Sequence, residues 1–298
     1  MKRTWARLPV SLRAVISGLL IGLAPANVWL PLLLKLGVPL AATTEAVFLA
    51  VYLWWASGGG PPLTSKAART VAFRRRALTS MQWTWSIVAA LSFAATIHAA
   101  IVLLFRLVPF PTETFRQGYD SSFIPSLPLK WIAAVVSAAS AGICEETGFR
   151  GYMQQPIEQR HGAPTAILVS SVFFMLLHLT KGWATVGMVP IVFGAGVLLG
   201  LLAWSSGSLM PGIMGHVVMD VGLFAYWWTG IAGDFTARPI AETGVDRLFL
   251  TTCAVLVTTL FVVLFAAVRL RRLRRSPVPS DPTPLVRGLP QTFATGSQ

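Results

Sequence analysis

A run of about 18 or more apolar residues has few stable homes other than a bilayer, because a helix of that length crosses the hydrocarbon core. This 298-residue chain carries eight runs that approach or exceed that length. They lie at about Ala14–Leu34, Val38–Ser57, Trp83–Leu107, Trp131–Met153, Ala163–Thr180, Val186–Trp204, Met210–Trp228 and Leu248–Val268. Only 12% of the residues are charged and 54% are hydrophobic, against about 25% charged in a typical soluble domain. That balance excludes a disordered protein, a disulfide-stapled secreted domain and a soluble enzyme. The expected fold is all-α: a polytopic integral membrane protein of about eight transmembrane helices. Turn and breaker signals separate the runs, among them Gly58-Gly59-Gly60-Pro61-Pro62, Pro109 with Pro111, and Ser205-Ser206-Gly207-Ser208.

The basic residues number 24 against 11 acidic ones, a formal charge of +13. In a soluble protein this excess would suggest nucleic acid, but here the basic residues bunch beside the apolar runs and no nucleic-acid-binding signature accompanies them. They read as orientation signals and contacts to anionic lipid. Lys2, Arg3, Arg7 and Arg13 precede the first run. Lys66, Arg69, Arg74, Arg75 and Arg76 fill the interval between the second and third. Arg269, Arg271, Arg272, Arg274 and Arg275 follow the last. With eight spans the three clusters share one side, so both termini are expected in the cytoplasm of a multi-pass cell-membrane protein. Ala24-Pro25-Ala26 resembles a signal-peptide cleavage site, yet apolar sequence resumes through Val28–Leu34, so the first run is expected to remain as a span. Residues 1–275 read as the transmembrane helical domain and 276–298, rich in proline, as a disordered cytoplasmic tail.

Ionisable groups inside spans are costly, roughly 2.5–3.5 kcal/mol for an Asp, Lys or Arg at a helix centre, and default to functional candidates. They concentrate in three places. The fourth run reads Cys144-Glu145-Glu146-Thr147-Gly148-Phe149-Arg150, the fifth holds Phe174 and His178, and the seventh holds His216 and Asp220. Glu146 and Arg150 are four apart and share a helix face, as an ion pair does. Glu145 is rotated by roughly 100° from Glu146 and points elsewhere. His216 and Asp220 are also four apart, so the carboxylate can hold one imidazole nitrogen and set its tautomer. His178 must approach from another helix, and its place far along the fifth run requires tilt or a shortened span.

A carboxylate, two histidines and a supporting Asp in a cavity of low dielectric make a water-activating site. Glu145 can take a proton from water as general base, and imidazoles can donate to the oxyanion of a tetrahedral intermediate. Alternatively Glu145, His178, His216 and Asp220 can bind a Zn2+ that activates the water itself, so the cofactor is zinc or none. Both routes lead to hydrolysis. Two other classes use the same groups: a proton- or ion-coupled transporter with an ionisable relay, and a non-catalytic scaffold that retains the motifs. Against the transporter stands the lack of an inverted repeat with matched broken helices.

The order Glu-Glu-x-x-x-Arg, Phe-x-x-x-His, His-x-x-x-Asp, carried by Glu145, Glu146, Arg150, Phe174, His178, His216 and Asp220 over about residues 130–225, resembles the CPBP (ABI) family of intramembrane proteases. This group contains the type II CAAX prenyl proteases and bacteriocin-processing membrane proteases. The resemblance implies a membrane endopeptidase acting on a membrane-associated protein or peptide, with water held between Glu145, His178 and His216. Asp220 stands where many relatives have Asn. It leaves metalloprotease and metal-free glutamate mechanisms both open. There is no His-Glu-x-x-His, so a zincin is not expected. Trp204-Ser205-Ser206-Gly207 lacks the first Gly of a rhomboid motif, and Gly233-Asp234 follows Ala232 and lacks the Gly two before Asp that a presenilin-type protease needs.

Other notable residues have plainer readings. Glu146 and Arg150 are expected to fix helix register and Phe174 to pack beside His178. His98 and His161 match no motif and read as structural. Gly196 with Gly200, and Ser137 with Ala141, are small-residue pairs suited to helix packing. Trp54, Trp55, Trp227 and Trp228 read as interfacial anchors, and Cys144 and Cys253 as small buried hydrophobes. Glu45, inside the second run, has no evident partner and falls outside the expected site.

Overall fold

The computed structural model describes residue 5 and residues 7–108, 121–179, 187–233 and 238–275. The expected tail, 276–298, lies outside the described residues, as do Glu113, Arg116, Asp120, Lys181 and Asp234. The described residues form helices joined by short turns, with no strand among them. Twelve helices are used below: α1 Val10–Ala26, α2 Trp29–Leu36, α3 Val38–Ala56, α4 Lys66–Ala72, α5 Ser80–Leu107, α6 Leu127–Glu145, α7 Gln154–His161, α8 Ala163–His178, α9 Val189–Ser206, α10 Met210–Gly222, α11 Ile240–Thr243 and α12 Arg247–Arg275. Two π-helical segments, Glu146–Met153 after α6 and Leu223–Trp228 after α10, continue their helices without a break in direction.

Local chemistry sets these boundaries. Proline occupies the first turn of α3, α6, α8, α9 and α10, where its missing N–H costs nothing and its fixed φ suits the helix. A capping box starts α5: Thr79 Oγ accepts from the Gln82 N–H, and Gln82 Oε1 accepts from the Thr79 N–H. Asp246 Oδ1 accepts the Phe249 N–H at the start of α12 and Oδ2 takes Arg106 at 2.7 Å. Those contacts, the backbone N–H foremost, hold the Asp246 carboxyl below its ordinary range.

The protein is an all-α polytopic membrane protein. Among the described residues five helical stretches are long and apolar enough to cross a bilayer: Val38–Ala56, Ser80–Leu107, Leu127–His161, Val189–Ser206 and Arg247–Arg274. Val10–Leu23 and Ala163–His178 are apolar but shorter. Lengths differ from helix to helix within this all-α architecture. The first run splits into α1 and α2 because Pro25 in the last turn of α1 lacks an N–H, and the Asn27 amide turns back onto the Leu23 carbonyl at 2.7 Å. The fourth run extends through the Glu146–Met153 π-helical segment and α7.

At the centre, α10 packs against both α5 and α6, α5 lies along α12, and α8 and α9 close the bundle on the other flank. α1 crosses the Glu146–Met153 segment where Gly148 meets Gly18 and Gly22. A Cβ on Gly148 would stand 2.5 Å from the Gly18 carbonyl and the Gly22 Cα, so backbone touches backbone there. Gly196 and Gly200 behave as expected, packing against Ser171 and Ile167 of α8. Trp227 and Trp228 do not: both are core residues rather than interfacial anchors, because the second π-helical segment turns them inward, where Trp227 Nε1 donates to His98 Nδ1 at 3.0 Å. His98 is thus structural, as is His161, which bonds Ser11 at 3.0 Å.

The basic clusters gather at one end of the bundle. Arg76 Nη2 bonds the Arg274 carbonyl, Arg74 bonds the Arg150 carbonyl and Glu158, and Ser11 reaches the end of α7. Arg74 is more than an orientation signal, since it is buried and clamps the Glu146–Met153 segment to the chain before α5.

Candidate functional site

Three helices bring the charged groups together, and a glycine decides how closely. At Gly142 of α6 a Cβ would lie 2.7 Å from Val217 Cγ2 and 3.1 Å from the Val217 nitrogen, so only glycine lets α10 come this near. The approach sets His216 beside the Glu145–Glu146 pair. α8 is only 16 residues long and ends at His178, which is the shortened span that His178 needs to reach the same depth.

All seven sequence-derived residues converge. None of the six ionisable side chains is more than 8% exposed. Glu146 Oε1 receives Arg150 Nη1 at 2.8 Å, the expected pair. The same oxygen lies 3.0 Å from His216 Nδ1, so Glu146 is not confined to fixing register. The imidazole orientation differs from expectation accordingly. Asp220 Oδ2 stands 3.6 Å from His216 Nε2 and Glu145 Oε2 4.0 Å from it, while the short bond to the ring comes from Glu146 on the other nitrogen. The ring is therefore held at Nδ1 from α6, with Nε2 facing Glu145 and Asp220.

Phe174 packs beside His178 as expected, with centroids 4.5 Å apart. It also stands edge-on to His216 at 5.9 Å and lies 4.4 Å beneath the Arg150 guanidinium. One aromatic ring thus spaces both histidines and the buried cation. His178 Nδ1 bonds the Phe174 carbonyl at 2.8 Å. A carbonyl only accepts, so Nδ1 carries the proton and Nε2 of the neutral ring is an acceptor.

Two cavities meet at Glu145. The smaller, of about 80 Å³, is lined by Glu145, His178, His216 and Asp220 together with Phe174 and Met219. The larger, of about 370 Å³, runs along α6 from Glu145 to Lys130, with walls from α1, α2 and the Leu223–Trp228 segment. Ser137 and Ala141 line this larger cavity. Ser137 also makes a helix–helix contact, accepting from Trp29 Nε1 of α2 at 2.7 Å.

A metal needs three or four donors converging on one point. No such group of three His, Cys, Asp or Glu is assembled among the described residues. The donors present do not form a ready metal site among the described residues.

Sequence reasoning passed over one contact and left one partner unassigned. Gly18 and Gly22, a Gly-x-x-x-Gly pair on the first span, carry the contact with Gly148, and that spacing was a readable signal. The unassigned partner is that of Glu45: its Oε1 accepts from Ser140 Oγ at 2.7 Å, a pairing between separate spans that no local spacing announces.

The fold and site together define a helical membrane protein with a buried Glu–His–carboxylate centre opening on an apolar channel. Residues 126–222, less than half the chain, match the family described as type II CAAX prenyl endopeptidase Rce1-like. Over that segment the chain is similar to that family. Neither the curated proteins nor the solved structures yield a match.

Proposed function

We propose that the protein is a membrane-embedded endopeptidase in which Glu145 activates water, hydrolysing a peptide bond of a membrane-associated protein or peptide. The observation that carries this reading is the position of Glu145 on the wall common to both cavities. A substrate carbonyl reaches it from the larger cavity, and the smaller has room for water.

Glu145 takes the proton as the water oxygen bonds to the carbonyl carbon. The carbonyl oxygen becomes an oxyanion, which His216 and His178 are placed to receive by donating from Nε2 in their protonated forms. Glu146 holds the His216 ring from behind and Asp220 supports Nε2. Collapse of the intermediate breaks the C–N bond, and the proton held on Glu145 goes to the leaving nitrogen. Atoms and charge balance with water as the only co-reactant. The described residues supply every proton transfer, so the glutamate mechanism is favoured over the metal-dependent one.

Orientation belongs to the same proposal. The arginine-rich end of the bundle faces the cytoplasm of a cell membrane, and the larger cavity, bounded by Lys130 and Thr229, opens towards the opposite end.

The test is digestion of an apolar peptide library by detergent-solubilised protein, with Glu145→Gln as partner. The variant keeps the shape and removes the base, so turnover disappears while thermal unfolding stays where it was. Turnover retained by Glu145→Gln would sink the assignment.

A further inference from the structure

The wall of the larger cavity carries polar groups that the catalytic proposal does not use. Glu45 is fully buried in α3. Its Oε1 accepts from Ser140 Oγ at 2.7 Å, and its Oε2 has no hydrogen-bond partner among the described residues. A carboxyl group kept at this depth in a span calls for a use. Nearer the start of α6, Ser137 Oγ accepts from Trp29 Nε1 at 2.7 Å.

The two hydroxyls are therefore set in opposite senses. Ser140 donates its O–H to Glu45 and presents lone pairs, whereas Ser137 accepts from Trp29 and keeps its own O–H to donate. Both line the cavity with Glu145, and Lys130 is the basic side chain lining its far end.

Helix geometry converts these positions into distances. At 1.5 Å per residue, Ser140, Ser137 and Lys130 stand about 7.5, 12 and 22 Å along α6 from Glu145. An extended peptide advances about 3.3 Å per residue. The serines then fall about two and four residues from the bond being cut, and Lys130, which has a reach of its own, about five to seven. An acceptor followed by a donor suits the N–H and C=O groups of an extended main chain. The remaining wall is apolar.

We propose that this face of α6 is a binding channel for an extended apolar stretch of substrate. Ser140, held by Glu45, accepts a main-chain N–H. Ser137, held by Trp29, donates to a carbonyl. Lys130 takes a carboxylate about five to seven residues from the scissile bond. The inference rests on the endopeptidase reading and specifies its substrate: unfolded, apolar and bearing a carboxylate at a set distance, whether that is a chain terminus or an acidic side chain.

The experiment digests apolar decapeptides with the full chain in detergent and reads the products by mass spectrometry. One half of the library ends in a free carboxylate. The other half is amidated, with a glutamate scanned along it. Wild type is expected to cut the free acids about five to seven residues before the end. Among the amides it cuts those with glutamate at that same spacing if side chains serve, and none if the terminus alone is read. Lys130→Gln erases the spacing rule and raises KM about tenfold with kcat nearly unchanged, the loss of one charge-assisted contact, and Lys130→Arg restores both. Ser140→Ala and Glu45→Ala raise KM without moving the spacing. Cleavage by Lys130→Gln with unaltered spacing and KM overturns the channel and leaves the endopeptidase standing, whereas no cleavage of any peptide by wild type overturns both.

Discussion

Arg150 and Glu146 test how the buried charges depend on one another. Both side chains are fully buried and joined at 2.8 Å. The guanidinium also donates to the Gly196 carbonyl at 3.2 Å and lies 4.4 Å over Phe174. Arg150→Met removes the cation and leaves the Glu146 carboxylate inside the bundle. Breaking a buried pair in this way costs about 3–5 kcal/mol, because the survivor keeps its desolvation penalty and loses its partner. Glu146→Leu strands the guanidinium and costs a similar amount. The double variant removes both charges, so its loss should be about 1–3 kcal/mol, reflecting the His216 Nδ1 contact left unmade. The cycle therefore shows strong coupling, with the double well below the sum of the singles. Unfolding is followed by heating in detergent with a thiol-reactive dye in a Cys253→Ser background, where the fully buried Cys144 beside Glu145 reports opening of the site. At about 2–4 °C per kcal/mol, each single variant should melt roughly 6–20 °C early and the double much less so. Additive shifts, or an Arg150→Met variant that melts with wild type, would refute the argument. The double variant, though folded, is expected to lose activity because nothing orients His216.

Three further outcomes follow from the geometry. Gly148→Ala places a methyl against the Gly18 carbonyl and Gly22 Cα and should cost about 1–3 kcal/mol by overpacking, seen as an earlier melt, whereas alanine at Gly194, where no atom lies within 4 Å of the added carbon, should leave the melt unchanged. The Asp246 carboxyl is held below its ordinary value of 3.8, so its contribution is present above that pH and is lost as pH falls through the lower folded value. The melting gap between wild type and Asp246→Ala should then be constant from pH 7 to about 4 and close only below, and a gap closing near pH 6 would contradict it. If the side chains alone activate water, chelator treatment leaves peptide cleavage intact and purified protein holds no stoichiometric metal. Near-stoichiometric zinc that vanishes in the His178→Ala, His216→Ala double variant would overturn that mechanism.

Much of the site was legible because helical periodicity converts sequence spacing directly into faces. Glu146 and Arg150 pair as a four-residue separation requires, and Glu145 departs from them towards the cavities as a rotation of one residue requires. What spacing did not show is which neighbouring helix claims each group. His216 was assigned to Asp220 on its own helix, but α6 comes close enough at Gly142 for Glu146 to make the shorter bond. The tryptophans show the same limit. Adjacent aromatics at the end of an apolar run read as an interfacial belt, and only the π-helical turn reveals that Trp227 and Trp228 point inward. Hydropathy likewise located the apolar runs but not their breaks, since Pro25 and Asn27 interrupt a helix without interrupting its apolar character.

The two cavities bear on why such a chain retains so many buried charges. Glu145, Glu146 and Asp220 outnumber the one permanent cation, Arg150, in a region where unpaired charge is expensive. A scaffold that needed only helix register would be served by Glu146 and Arg150, which satisfy each other. Glu145 and Asp220 add acid beyond what that pair requires, and both face the smaller cavity together with His178 and His216. Glu145 alone of these also lines the larger cavity. Groups held at such a cost, gathered on the wall of a cavity that adjoins an apolar one, are what the proposed water-consuming reaction calls for. A proton relay would string its carboxylates and histidines along a path through the bundle; here they surround one ring, with the channel entering from one side.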